Sequence, residues 1–202
     1  PVNTGTETAI VRIDSTGAVT AKFGIASLGQ GLETTLAQVI AEELGVQVWD
    51  VRVTHGDTDG MAHCTGTFAS RSTVLAGGAA ILSARAVKEQ VFKAAAHMFE
   101  ADPADLDAVA GEIFVMGTDR RMSFQQLARA LYSDMGRFPK ELREEISLEA
   151  TRTYDPFFGT TSSASHLAMI EVDRDTYGVS ILHYSVADDC GRVINPLIVD
   201  GQ

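Results

Sequence analysis

Two cysteines in 202 residues, Cys64 and Cys190, are too few and too far apart for a disulfide framework. They show no Cys-x-x-Cys spacing, so a structural zinc site is not expected either. A reducing, cytoplasmic setting is the expected one. Basic residues are scarce, 16 Lys and Arg against 27 Asp and Glu, and the formal charge is −11. Nucleic-acid binders carry a basic face, so this balance excludes that class of partner. It leaves room for a small anionic ligand, held by local N–H groups and one or two cations. No run approaches the roughly 20 apolar residues of a membrane span. No basic, apolar leader follows Pro1, and the chain stops at Val199-Asp200-Gly201-Gln202 without a polar tail. It is expected to be an excerpt of a longer polypeptide.

Familiar catalytic signatures are missing too. There is no GxxxxGK[ST] loop, no HExxH and nothing like GxSxG. Gly29-Gln30-Gly31 holds only the first half of a GxGxxG fingerprint. His63 and Cys64 are adjacent, which is poor spacing for two ligands of one metal. No catalytic residue and no metal ligand is therefore expected within the chain.

What is present is a hydrophobic content of 45%, enough for a substantial core. Thr6 to Ile13 and Val19 to Ile25 alternate around a turn at Gly17 and predict a β-hairpin. Leu32, Leu36, Val39, Ile40 and Leu44 recur at helical spacing, and Gly45 stands where a C-cap glycine belongs. Val48, Val51 and Val53 predict a strand that ends at His55-Gly56-Asp57-Thr58. A long alanine-rich helix is predicted from about Thr73 to Phe99. Its Gly77-Gly78 pair costs helix propensity, so it serves either tight helix–sheet packing or the close approach of a ligand. Leu106 to Arg121 reads as two short strands. Ser123 caps a helix over 124–132 through a Ser-x-x-Gln capping pattern. Residues 138–156 read as irregular, charged surface, with Glu141 to Glu145 as a solvated helix face. Two further strands, 165–172 and 179–186, flank an Asp-rich turn. The expected class is α+β: a mixed β-sheet with helices packed on one side, without βαβ regularity. A division into 1–101, a hairpin–helix–strand–helix part, and 102–202, a strand-rich part, is expected.

Three loops are rich in hydrogen-bond donors: Gly29–Gly31, Gly66–Ser72 and Asp188–Gln202. Gly66-Thr67-Phe68-Ala69-Ser70-Arg71-Ser72 offers three hydroxyls and a guanidinium just before a helix, whose first N–H groups have no partner inside the helix. That arrangement suits phosphate or another anion. Thr67, Ser70 and Ser72 could equally be ordinary helix caps. Arg71 is expected either to bind phosphate oxygens or to hold a carboxylate that shapes the loop.

Six stretches occur in a recognisable order: 29–34 (GQGLET), 56–58 (GDT), 66–72 (GTFASRS), 171–173 (EVD), 189–196 (DCGRVINP) and 200–202 (DGQ). In that order they resemble the molybdenum-binding large subunit of the xanthine oxidase family of molybdenum hydroxylases. They are most similar to the bacterial members that carry molybdopterin cytosine dinucleotide, including carbon monoxide dehydrogenase-type large subunits. The resemblance spans nearly the whole chain and implies the molybdopterin-binding domain type of fold. It implies that Gln30 lies near the molybdenum end of the cofactor, with Gly31 and Thr34 contacting the dinucleotide. Thr67, Ala69, Ser70, Arg71 and Ser72 would hold the pterin side and the pyrophosphate. Gln202 would reach the pterin, and Cys190 and Asn195 would lie near the nucleotide end. It also implies an iron–sulfur subunit and a FAD subunit or domain as partners, in a dimer of heterotrimers. The family's catalytic glutamate falls beyond Gln202 and its substrate loop before residue 1. The turn at Thr176-Tyr177-Gly178 departs from the family's usual Thr-Gly. Two rival expectations are a non-catalytic module that binds another anionic, nucleotide-like ligand at the same loops, and a structural domain whose loops are only caps.

Overall fold

The computed structural model describes residues 5–61, 64–156 and 161–201, which fall into two compact units, 5–156 and 161–201. The first unit is built on strand β1 (Glu7–Ile13), β2 (Val19–Phe23), helix α1 (Leu32–Leu44), β3 (Val51–His55) and the long helix α2 (Ser72–Phe99). It continues through β4 (Leu106–Val109), β5 (Glu112–Val115), β6 (Arg121–Ser123), α3 (Phe124–Ser133), α4 (Lys140–Glu145) and β7 (Glu149–Tyr154). The second unit holds β8 (Ser163–Val172), β9 (Val179–Asp189) and the short helix α5 (Pro196–Asp200).

The main sheet has the order β3-β2-β1-β7 and is mixed. β1 runs antiparallel to both β2 and β7, whereas β2 and β3 run parallel. One crossover through α1 thus joins β2 to β3, a single unit of the βαβ kind that the sequence reading did not expect. On β1, Ala9, Val11 and Ile13 are buried while Arg12 is exposed; on β2, Val19, Ala21 and Phe23 are buried. This alternation turns one face of the sheet toward α1 and α2, and Leu36, Ile40, Leu44, Ala76, Ala80, Val87 and Val91 complete the core. A second sheet, β4-β5-β6, adds Ile113 and Met122 to the same core and has one strand more than expected. The hydrophobic cluster therefore runs across residue 101 without a break.

Three local rules hold as read. Gly45 ends α1 in the left-handed conformation, with φ 78°. Ser123 and Gln126 form a complete capping box at α3. Gly78 packs against the ring of Tyr154 on β7, which settles its role as helix–sheet contact.

Two readings are corrected. Val48 does not start a strand: 48–50 form one 3₁₀ turn, with Trp49 exposed, and pairing begins at Val51. Residues 138–156 are not all irregular surface. Phe138 and Leu148 are buried, α4 occupies 140–145, and β7 pairs with β1 along its length. β7 reads as polar because it is an edge strand that packs through little more than Tyr154.

In the second unit the β8–β9 hairpin carries a bulge, since Met169 faces His183 but Ile170 faces Ile181. Val172 with Val179, Ile170 with Ile181, and Ala168 with Tyr184 share one face of it, all exposed. The Asp-rich turn closes on Asp173, whose carboxylate accepts from the N–H of Asp175 and Thr176. Tyr177 adopts φ 56°. Among the described residues, no helix is long and apolar enough to cross a membrane.

Candidate functional site

The loop that enters α1 runs through Gly29 and Gly31, at φ 100° and 72°. Only glycine adopts such angles without strain, and at Gly29, its chain neighbours aside, no atom of the described residues lies within 4 Å of where a side chain would begin. Gln30 folds back so that its Oε1 accepts from the N–H of Leu28 at 2.6 Å. That bond engages the carbonyl end of the Gln30 amide and not its donor end. Gly31 is the N-cap of α1, so no side chain caps the helix. Thr34 stands exposed in the first turn.

The loop that enters α2 repeats the arrangement. Gly66, at φ 99°, again has open space beside it among the described residues. Ala69 and Ser70 follow at φ 49° and 55°, and the N–H of Arg71 donates to the carbonyl of Phe68 at 3.2 Å. Two successive positive φ angles inside such a bond make a turn of the I′ kind, for which Asn and Gly are the usual residues. Ala and Ser there carry backbone strain of about 1–2 kcal/mol each.

The hydroxyls are not caps. Among the described residues, no side chain caps α2. Thr67 Oγ1 instead donates to the carbonyl of Ala26 at 2.6 Å and accepts from the N–H of Ala26 at 3.2 Å. Ser72 Oγ donates to Thr67 Oγ1 at 3.2 Å, and Ser70 is exposed. Through Thr67 the second loop docks onto the segment that leads into the first. Thus α1 and α2 both begin uncapped, beside loops tied together, while α3 has its full box. The six-residue α4, which starts on Pro139, lacks a side-chain cap as well.

Arg71 takes the carboxylate option. It is buried, and its Nη1 donates to Glu7 Oε1 and to the carbonyl of Gly66. Its Nη2 donates to the carbonyl of Thr6 at 2.9 Å, and the guanidinium lies 5.2 Å from the centre of the Phe68 ring. Glu7 Oε1 also accepts from the N–H groups of Thr65 and Gly66, at 3.0 and 3.3 Å. Glu7 was not foreseen. The available signal was parity, because position 7 falls on the same face as Ala9, Val11 and Ile13. A second unforeseen contact joins His55, at the end of β3, to Glu33 in the first turn of α1, with Nε2 and Oε1 2.6 Å apart.

Cys190 and Asn195 belong to the other unit. Cys190 is an exposed free thiol, and Asn195 is the N-cap of α5, accepting from the N–H of Ile198. Cys64 packs against Gly24. Gln202 and His63 lie outside the described residues.

The sequence profile of the molybdopterin cofactor-binding domain matches residues 2–202. The chain belongs to that family. Among relatives of this molybdopterin-domain chain, the gamma subunit of the 6-hydroxypseudooxynicotine dehydrogenase complex of Paenarthrobacter nicotinovorans is 41% identical over 196 residues. That match covers 97% of the chain and 24% of the relative. The carbon monoxide dehydrogenase large chain of Afipia carboxidovorans is 38% identical, again over 97% of the chain and 24% of the relative. Quinoline 2-oxidoreductase from Pseudomonas putida 86 superposes with a TM-score of 0.89 at 37% identity, over 97% of the chain and 25% of its own. The molybdopterin-domain chain thus spans about a quarter of the length of these relatives. It is a partial match to the large subunits of the xanthine oxidase, carbon monoxide dehydrogenase and aldehyde oxidase family.

Proposed function

We propose that the chain is part of a molybdenum hydroxylase large subunit, and that its two joined loops hold molybdopterin cytosine dinucleotide. The observation that carries this is the pair of uncapped helix starts at Gly31 and Arg71, on loops linked by Thr67 and Ala26. An elongated anion needs donors from more than one side. Two sets of first-turn N–H groups, with bare backbone at Gly29 and Gly66 to admit it, meet that need.

In this reading Gln30 offers its amide toward the metal end, and Gly31 and Thr34 contact the dinucleotide. Thr67, Ala69, Ser70 and Ser72 line the pterin and pyrophosphate side. Arg71 contributes through Glu7, as its inward position requires. Cys190, Asn195 and Gln202 are assigned to the nucleotide and pterin ends. When bound, the cofactor supplies the two-electron oxidation that side chains alone do not. The parent enzyme would place an oxygen from water on a small substrate, such as carbon monoxide, an aldehyde or an N-heterocycle. It would then pass electrons to an iron–sulfur subunit and a FAD subunit, in a dimer of heterotrimers. Two free thiols, Cys64 and Cys190, fit the cytoplasm.

The test is to purify the full-length protein, release its cofactor with acid and measure cytidine monophosphate and molybdenum per chain. Near-stoichiometric amounts of both are expected. A different nucleotide without molybdenum would replace this reading with that of a non-catalytic module binding another anionic ligand. Neither nucleotide nor metal would leave a purely structural domain.

A further inference from the structure

We propose that Glu7 is a positioning residue for the cofactor loop: its buried carboxylate, tied to Arg71, closes residues 65–71 into the shape that displays Ala69 and Ser70. This rests on the reading of that loop as part of the cofactor cradle.

Glu7 is 1% exposed and Arg71 2%. A carboxylate and a guanidinium withdrawn this far from water lose most of what their attraction returns, and an apolar pair of similar size is often as stable. Stability alone therefore gives little reason for the pair. Its geometry supplies another. One oxygen, Glu7 Oε1, accepts from the N–H of Thr65, the N–H of Gly66 and Nη1 of Arg71. The two ends of the loop are thus fastened to a single atom on β1. Arg71 returns to the carbonyls of Gly66 and Thr6, so the guanidinium also spans the gap between loop and strand.

The stretch between these anchors has too little chain to relax. Ala69 and Ser70 take up the closure with φ 49° and 55°, angles that neither residue prefers. The turn is held from below by Glu7 and from the side by Thr67 on Ala26. Phe68, over the guanidinium, seals the ring. The second carboxylate oxygen, Glu7 Oε2, is buried without a hydrogen-bond partner among the described residues.

Three variants of the full-length protein test this: Glu7→Gln, Arg71→Lys and the double variant Glu7→Leu with Arg71→Met. The double variant leaves no lone buried charge, so its apo form should remain folded, melting somewhat below wild type because the Thr65 and Gly66 amides lose their acceptor. It should nevertheless release several-fold less cytidine monophosphate per chain. Its backbone amides at 65–72 should exchange with deuterium about tenfold faster in the apo protein. Glu7→Gln keeps an acceptor for the Thr65 and Gly66 amides and should show the same two changes in weaker form, as should Arg71→Lys. Should the double variant not fold, the two single variants carry the same readouts. Wild-type nucleotide content and wild-type exchange in the variants would overturn the proposal. A gain of nucleotide in Glu7→Gln would overturn it too, because it would mean that Glu7 withholds Arg71 from the ligand. If wild type itself releases no cytidine nucleotide, the cofactor reading fails, while amide exchange still reports whether Glu7 shapes the loop.

Discussion

The ring of Tyr154 fills the space that a side chain at Gly78 would need: a Cβ there would stand 2.3 Å from its Cδ1. One residue earlier, at Gly77, nothing among the described residues outside the helix's own backbone and the chain neighbours lies within 4 Å of the same position. The two adjacent glycines should therefore respond in opposite directions. Gly78→Ala gains helix propensity but drives a methyl into the edge strand, and should cost about 1–3 kcal/mol. Gly77→Ala should stabilise by about 0.5–1 kcal/mol. Paired thermal melts of the two variants read the difference directly.

Ala69 offers a second test. Replacing alanine by glycine in a loop normally loosens the unfolded chain further and destabilises. At φ 49° the native angle favours glycine, so Ala69→Gly should be neutral or stabilising by up to about 1 kcal/mol. A clear loss of stability in chemical denaturation would show that the turn is not strained in solution.

A pH effect is expected at the β1–β2 turn. Asp14 Oδ1 accepts from the hydroxyl of Thr16, from the N–H of Thr16 at 2.7 Å and from the N–H of Ala18 at 3.3 Å. These bonds, the Thr16 hydroxyl first, hold the carboxyl below its ordinary range. A lowered folded-state value means stability that is fully present above the unfolded value. It is lost as pH falls through the folded one, below about pH 4. Asp14→Asn should remove that share of the acid dependence and cost about 0.5–1 kcal/mol at neutral pH, an amount kept small by solvent exposure. Denaturation midpoints for both proteins between pH 7 and pH 3 should converge as the acid end is reached.

Thr67 should matter for two loops at once. Thr67→Val keeps the shape and deletes the hydroxyl that both donates to and accepts from Ala26. The expected loss is about 1–2 kcal/mol in the apo protein, with faster amide exchange at both 26–31 and 65–72. Thr67→Ser should recover most of it. Exchange confined to the second loop would mean that the two are not mechanically joined.

Where one residue type carries its own local physics, the sequence showed the fold plainly. Gly45 after Leu44, and Ser123 three residues before Gln126, mark helix ends through backbone angle and side-chain length alone. β7 was missed because an edge strand of Glu149, Thr151, Arg152 and Thr153 lacks the apolar alternation that announces a buried one. At the site, loop composition showed where donors gather but not which way they turn. Arg71 looks like a phosphate ligand until Glu7, 64 positions earlier, is known to stand beside it. The left-handed turn at Ala69 and Ser70 was invisible for a related reason. Neither residue advertises a positive φ; closure of the loop imposes it.

The pairing of β1 with β7 sets an order of assembly. Thr8 and Thr153, whose hydroxyls lie 2.9 Å apart across that ladder, are separated by 145 positions. During synthesis at roughly 5–20 residues per second, the edge of β1 waits on the order of ten seconds for the strand that closes it. Until then the border of β1 that β7 will cover stays open in the nascent chain, next to the glycines of α2.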